Sequence, residues 1–164
     1  DLKLHDSGHL HKVSPYYLLA ANGYYYLMCN EENHDNVIYY RIDRMVKVRE
    51  LNEKIKNKTR IKGIGYLQEM PKHMAEHIYM FSGGSVDVEM KTTPSMVSDL
   101  VDWFGKDIEV KQVGENEIRA RVRCNENAIF YWLLQYGMSV EVVKPQSLRD
   151  KMRDAVVNLQ KKYC

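Results

Sequence analysis

The sequence predicts an α+β protein, with an antiparallel β-meander in front and a strand-helix-strand-strand-helix-strand run behind it. Three observations lead there. Residues 13–21, 23–29 and 37–46 are rich in Val, Ile and Tyr, which suit a pleated, half-buried surface. Asn22-Gly23 joins the first two runs, and both residues tolerate the positive φ of a type I′ hairpin turn. From Ser85 onward, segments of period two alternate with helical segments, and glycines and prolines mark the joints.

The elements follow in order. The polar run 30–36 makes the second turn of the meander. Side chains alternate faces along a strand, so Arg41 and Asp43 share one face while Ile42 and Arg44 take the other. Bringing both arginines to one rim requires a bulge or a strand end. Residues 51–70 connect the halves. Lys54, Lys56, Lys58, Arg60 and Lys62 alternate there with other residues. Charge runs are usually solvated, which favours a loop over a basic phosphate-contacting arm. Pro71 suits the first turn of a helix through Phe81, and Gly83-Gly84 forms a hinge.

In the second half, Val86, Val88 and Met90 alternate with charged residues as a half-buried strand. Pro94 opens a helix that runs to Phe104 and stops at Gly105. Strands 108–113 and 118–124 flank a turn at 114–117. Asn125 or Asn127 starts a helix to Tyr136, stopped by Gly137. Strand 140–144 ends at Pro145, and a long helix over 147–163 closes the chain. This order is the ferredoxin-like pattern.

Composition narrows the function. A chain of 164 residues with 45% hydrophobic and 28% charged content folds as one medium domain or two small ones. The net charge of +2 falls within residues 1–84, so any nucleic-acid binding rests on local placement. No apolar stretch is long enough to span a bilayer, and no secretory signal stands at the start. Cys29, Cys124 and Cys164 lie far apart without a CxxC pair, which argues against a zinc ribbon or redox motif. Cys29 and Cys124 fit buried thiols. His5, His9 and His11 lack a cysteine partner, and His73 and His77 lack an HExxH frame, so no metal site is expected. The latter pair reads as a solvated helix face. No nucleophile elbow, P-loop or dinucleotide fingerprint is present. Asp99 and Asp102 read as capping or surface groups. The expectation is a binding protein without catalytic residues or cofactor.

Two residue sets are candidates for binding. Tyr24, Tyr26, Tyr39 and Tyr40 either pair across strands or offer platforms to a flat ligand. Arg41 and Arg44 either pair with Asp43 and neighbouring carboxylates or form a fork for phosphate or carboxylate. In strand 118–124, Ile118, Ala120, Val122 and Cys124 point inward, so Arg119, Arg121 and Arg123 point outward together. These three pair with Glu109 or Glu141, track a single-stranded nucleic-acid backbone, or form a second wall for the first pocket.

Several motifs in order resemble the effector half of WYL-domain transcriptional regulators of the DeoR-like group. Tyr25-Tyr26-Leu27 stands where that family carries Trp-Tyr-Leu, and tyrosine there keeps aromatic packing but removes the indole donor. Val13-Ser14-Pro15-Tyr16 resembles the preceding strand. Tyr40-Arg41-Ile42-Asp43-Arg44-Met45 resembles the family's arginine-bearing strand. The likeness continues through Met80-Phe81-Ser82-Gly83-Gly84, Trp132-Leu133-Leu134-Gln135-Tyr136-Gly137 and Val140-Glu141-Val142-Val143-Lys144-Pro145.

The resemblance implies an Sm-like, SH3-type barrel over 1–50, a connector over 51–84, and a ferredoxin-like WCX-type extension with its C-terminal helix over 85–164. It implies a ligand pocket of Ser14, Tyr16, Tyr26, Arg41 and Arg44. The ligand would be anionic, single-stranded DNA in some members. It further implies a cytoplasmic homodimer that reaches operator DNA only through an N-terminal helix-turn-helix, expected outside the sequence that starts at Asp1. The barrel's first strand is expected upstream as well, and an incomplete barrel leaves a sheet edge open to pairing. The other reading is a stand-alone Sm-like nucleic-acid-binding module with no switching role.

Overall fold

A computed structural model describes residues 10–64 and 74–164. The chain divides into two compact units, Asp1–Ile64 and Gly65–Cys164.

In the first unit, β1 (Val13–Ala21), β2 (Tyr24–Glu31) and β3 (Ile38–Arg41) form an antiparallel sheet in the order β1-β2-β3. Asn22 and Gly23 have φ of 52° and 76°, the paired positive values expected of a type I′ turn. The register shifts between Pro15 and Tyr17. Pro15 sits at this bulge because it lacks the N–H a regular ladder needs. Asn30, fully buried, shapes the second turn: its Nδ2 donates to the carbonyls of His34 (2.7 Å) and Asn36 (2.9 Å). Beside β3, Val37 N–H donates to the Lys62 carbonyl and Lys62 N–H donates to the Asp35 carbonyl. Leu19, Met28, Cys29, Val37 and Ile61 are buried.

The strand expected to reach Val46 ends at Arg41. Residues Ile42–Arg44 instead form a 3₁₀ turn, closed by Met45 N–H donating to the Ile42 carbonyl. With a third strand of only four residues, the described part of this unit is an open sheet, not a closed barrel. The described part of the lysine-rich connector, residues 51–64, is a loop apart from a 3₁₀ turn at Lys58–Arg60 and a bridge from Lys62 to Asn36.

In the second unit, β4 (Ser85–Thr92), α1 (Val97–Phe104), β5 (Glu109–Gly114), β6 (Glu117–Asn125), α2 (Glu126–Tyr136), β7 (Glu141–Lys144) and α3 (Gln146–Tyr163) succeed one another. The antiparallel sheet has the order β5-β6-β4-β7. A 3₁₀ turn at Pro94–Met96 leads into α1, and Gly105 (φ 82°) ends it by donating its N–H to the Val101 carbonyl. Asn125 is the cap of α2. Its Oδ1 accepts from the backbone N–H groups of Asn127 and Ala128, both at 3.1 Å. Its Nδ2 donates to the carbonyls of Ser82 and Gly84, so one side chain starts the helix and holds the segment that leads into β4.

The core gathers Val88, Met90, Ile118, Ala120, Val122 and Cys124 from the strands, with Leu100, Phe104, Ile129, Trp132, Leu133 and Leu148 from the helices. The opposite sheet face is polar. His77 corrects one expectation: it is buried, at 8% exposure, not on a solvated face. It lies in the turn at 77–79 that delivers buried Ile78 to the core, and this turn replaces the predicted end of the helix. The helix start at Pro71, His73, and the histidines at 5 and 9 lie outside the described residues.

Burial pushes the Cys29 and Cys124 thiols up to about 12, whereas Cys164 is exposed. The thiolate is the reactive form. A thiol-reactive dye is therefore expected to label Cys164 alone in the native chain and all three cysteines after unfolding. Mass spectrometry of the labelled peptides reads this directly.

Candidate anion-binding sites

The register places Arg41 opposite Tyr26, and Tyr24 lies two residues along β2 on the same face. The Arg41 guanidinium stacks over the Tyr24 ring, 3.5 Å from its centroid. Asp43 holds the same guanidinium as a fork, with Nε donating to Oδ1 (3.1 Å) and Nη2 donating to Oδ2 (2.6 Å). The hydrogen bonds with Asp43 raise the Arg41 pKa, and those with Arg41 hold the Asp43 carboxyl below its usual range. The guanidinium is thus fixed in plane by a carboxylate and backed by a ring, the arrangement that suits a carboxylate or phosphate.

Strand alternation separates Arg41 from Arg44 only while the strand lasts. It stops at Arg41, and Arg44 is the last residue of the 3₁₀ turn that follows. Arg44 is exposed and makes no ion pair among the described residues.

Ser14 and Tyr16 have polar partners of their own. Ser14 Oγ accepts from Lys56 N–H (3.0 Å), and Tyr16 O–H donates to the Lys56 carbonyl (3.0 Å). The Lys56 ammonium donates to the carbonyls of Glu31, Glu32 and His34. These contacts fasten the connector across β1. Burial raises the Tyr16 pKa, which keeps that phenol a neutral donor. Lys58 lies 4.3 Å from the centroid of the Tyr17 ring and donates to its hydroxyl at 3.1 Å. Tyr24 stood among the candidate aromatic platforms of the sequence but not in the pocket set implied by the family resemblance. Its position two residues before Tyr26, on one face of a strand, was the available signal.

In the second unit, Arg119, Arg121 and Arg123 do stand together on the open sheet face. Their partners come mainly from β4, not from the expected glutamates alone. Arg119 Nη1 donates to Glu89 Oε1 (2.7 Å), and Arg121 approaches Glu89 Oε2 (3.5 Å) and Glu109 (3.7 Å). Arg123 pairs with Asp87 (3.3 Å) and Glu76 (3.8 Å). Glu141 pairs instead with Arg149 at 2.9 Å. A depression of about 260 Å³ is lined by Glu89, Glu109, Lys111, Val113, Arg119 and Arg121. Glu89 was legible in principle. If Val86, Val88 and Met90 face inward, Asp87, Glu89 and Lys91 face the arginines.

Glu89 is only 7% exposed, and its hydrogen bond from Arg119 holds its pKa below the usual 4.5. A carboxyl with a depressed folded-state pKa contributes stability above its unfolded pKa, and this is lost as pH falls through the folded value. Wild type is expected to lose stability relative to Glu89→Gln as pH drops below 4.5, and the two should run parallel above pH 6. Urea unfolding at stepped pH checks it.

Fold and surface define a two-unit α+β protein whose polar faces are organised around arginines. Family comparison then places it: residues 4–50 match the WYL domain and residues 84–159 match the WCX domain. The chain thus carries a WYL domain followed by a WCX domain. It is 24% identical over 156 residues to YobV of Bacillus subtilis (strain 168), named an uncharacterized HTH-type transcriptional regulator. That match covers 94% of this chain and 47% of the relative, so the chain spans about half of the relative's length. A crystal structure of a CRISPR Cas-related protein shares the fold, with a TM-score of 0.55 and 16% identity, covering 93% of this chain and 43% of that one. The proteasome accessory factor PafBC of Arthrobacter aurescens aligns at 21% identity with a TM-score of 0.38, over 86% of this chain and 21% of its own. Among the described residues, no helix is long and apolar enough to cross a membrane.

Proposed function

We propose that this chain is the ligand-sensing and oligomerising module of a cytoplasmic transcriptional regulator. It would bind an anionic ligand, single-stranded nucleic acid being the chemistry that fits best. The observation that carries this reading is the Arg41 guanidinium held between the Tyr24 ring and the Asp43 carboxylate. Aromatic rings beside cations are the usual platform for single-stranded nucleic acid. Tyr24 backs the Arg41 guanidinium, Tyr26 offers a stacking surface, Arg41 and Arg44 supply the charge, and Ser14 and Tyr16 hold the connector that borders β1. No step of catalysis is assigned.

In this reading the first unit is part of an Sm-like barrel. The second is a ferredoxin-like domain, supported by its all-antiparallel order β5-β6-β4-β7. The ligand's phosphate takes the place of Asp43 in the Arg41 fork. Ligand that prefers one arrangement of a homodimer shifts the population toward it, and a linked helix-turn-helix reads the shift on operator DNA.

A fluorescently labelled single-stranded oligonucleotide, titrated into the chain, tests the ligand class. Saturable binding that weakens steadily with salt is expected, because neutralised phosphates release counterions. Absence of saturable binding at low salt would overturn the assignment.

A further inference from the structure

The open sheet face of the second unit carries a charge pattern that the ligand site in the first unit does not explain. Antiparallel register sets Lys111 of β5, Arg119 of β6 and Lys91 of β4 directly side by side. Neighbouring strands lie about 4.8 Å apart, so three like charges sit in one row. Like charges opposite one another destabilise a sheet. Two of the three are relieved: Arg119 by Glu89 at 2.7 Å and Lys91 by Glu117 at 3.1 Å. Lys111 has no carboxylate partner among the described residues, and it lines the depression with Arg119.

The row beneath is built differently. Glu109, Arg121 and Glu89 alternate in sign across the same three strands. Glu89, buried beneath the guanidiniums of Arg119 and Arg121, fixes both in place. Donors fixed in advance lose less freedom when a ligand arrives. Glu109 remains exposed and presents carboxylate oxygens beside the cationic pair.

We propose that this depression is a second ligand site, which takes the phosphate of a small phosphate ester on Lys111 and Arg119 and its hydroxyl groups on Glu109. Inorganic phosphate brings Glu109 no alcohol hydroxyl to accept from, whereas a phosphorylated sugar supplies both the phosphate and several hydroxyls. The volume of about 260 Å³ falls just below the range of about 300–1,000 Å³ typical of drug-sized ligands, which favours a small ester over a longer chain. Val113 forms the apolar wall. No residue is shared with the Tyr24–Arg41 site.

Isothermal titration of the full chain with ribose 5-phosphate, inorganic phosphate and ribose tests this. Ribose 5-phosphate should bind saturably, phosphate more weakly, and ribose not at all. Lys111→Ala, an exposed position, should weaken ribose 5-phosphate at least about tenfold, the scale of one charge-assisted hydrogen bond. Arg41→Ala should leave that affinity unchanged, and Lys111→Ala should leave oligonucleotide affinity unchanged. Failure of ribose 5-phosphate to bind, or equal affinity in Lys111→Ala, overturns the site. Loss in Arg41→Ala alone moves the ligand to the first unit and also overturns it. Phosphate binding as tightly as ribose 5-phosphate removes the role given to Glu109.

Discussion

Trp132→Ala is expected to destabilise the second unit by about 3–5 kcal/mol, the usual cost of deleting a large aromatic from a packed core. Trp132 is fully buried on α2. It meets Phe104 edge-on at 5.0 Å and stacks on Tyr136 at 4.6 Å, so it joins α1 to α2 over the sheet. Tyr136 in turn accepts a hydrogen bond from Trp103 Nε1 at 3.0 Å. Removing the indole leaves a void between Phe104 and Tyr136 that the packed core cannot fully close. Trp132→Phe should cost less than its lost volume suggests, because the Trp132 indole N–H has no hydrogen-bond partner among the described residues. Urea unfolding followed by circular dichroism measures both. A loss below about 1 kcal/mol for Trp132→Ala would mean that the aromatic cluster does not organise this core.

Arg41→Ala is expected to weaken binding of a single-stranded oligonucleotide about 10–100-fold, with its unfolding curve little changed. The pair it makes with Asp43 is solvent-exposed on the carboxylate side and contributes little to folding. The same guanidinium, with a phosphate in place of Asp43, would form charge-assisted hydrogen bonds to the ligand. Arg41→Lys should recover only part of the affinity, since an ammonium keeps the charge but loses the planar fork and the stack on Tyr24. Fluorescence anisotropy against salt concentration separates the two losses.

Much of the second unit was legible from local signals. The alternation of Ile118, Ala120, Val122 and Cys124 fixed which way Arg119, Arg121 and Arg123 point, because strand geometry has a period of two and β6 pairs with β4 without a bulge. Gly105 stands at the end it was expected to mark, and of the two candidate helix starts, Asn125 and Asn127, the cap is Asn125. Asn22-Gly23 turned the first hairpin for the same local reason.

What escaped the sequence depended on tertiary context. The end of β3 at Arg41 follows from a 3₁₀ turn that Val, Ile and Arg propensities do not announce, and that turn decides how Arg41 and Arg44 relate. Ser14 and Tyr16 bond a lysine some forty positions away, which no spacing rule reveals. His77 is buried because its turn faces the core, although its neighbours Glu76 and Lys72 suggest a wet helix.

The central claim is that Tyr24 and Arg41 act as one ligand-binding unit, and a double-mutant cycle on oligonucleotide affinity tests it most directly. Tyr24→Leu, Arg41→Ala and the double variant would be titrated beside wild type at one salt concentration. The account predicts that the double variant binds no more weakly than Arg41→Ala alone, because losing the guanidinium removes what the ring supports. Wild-type affinity in all three variants, or two losses that simply add, would contradict it.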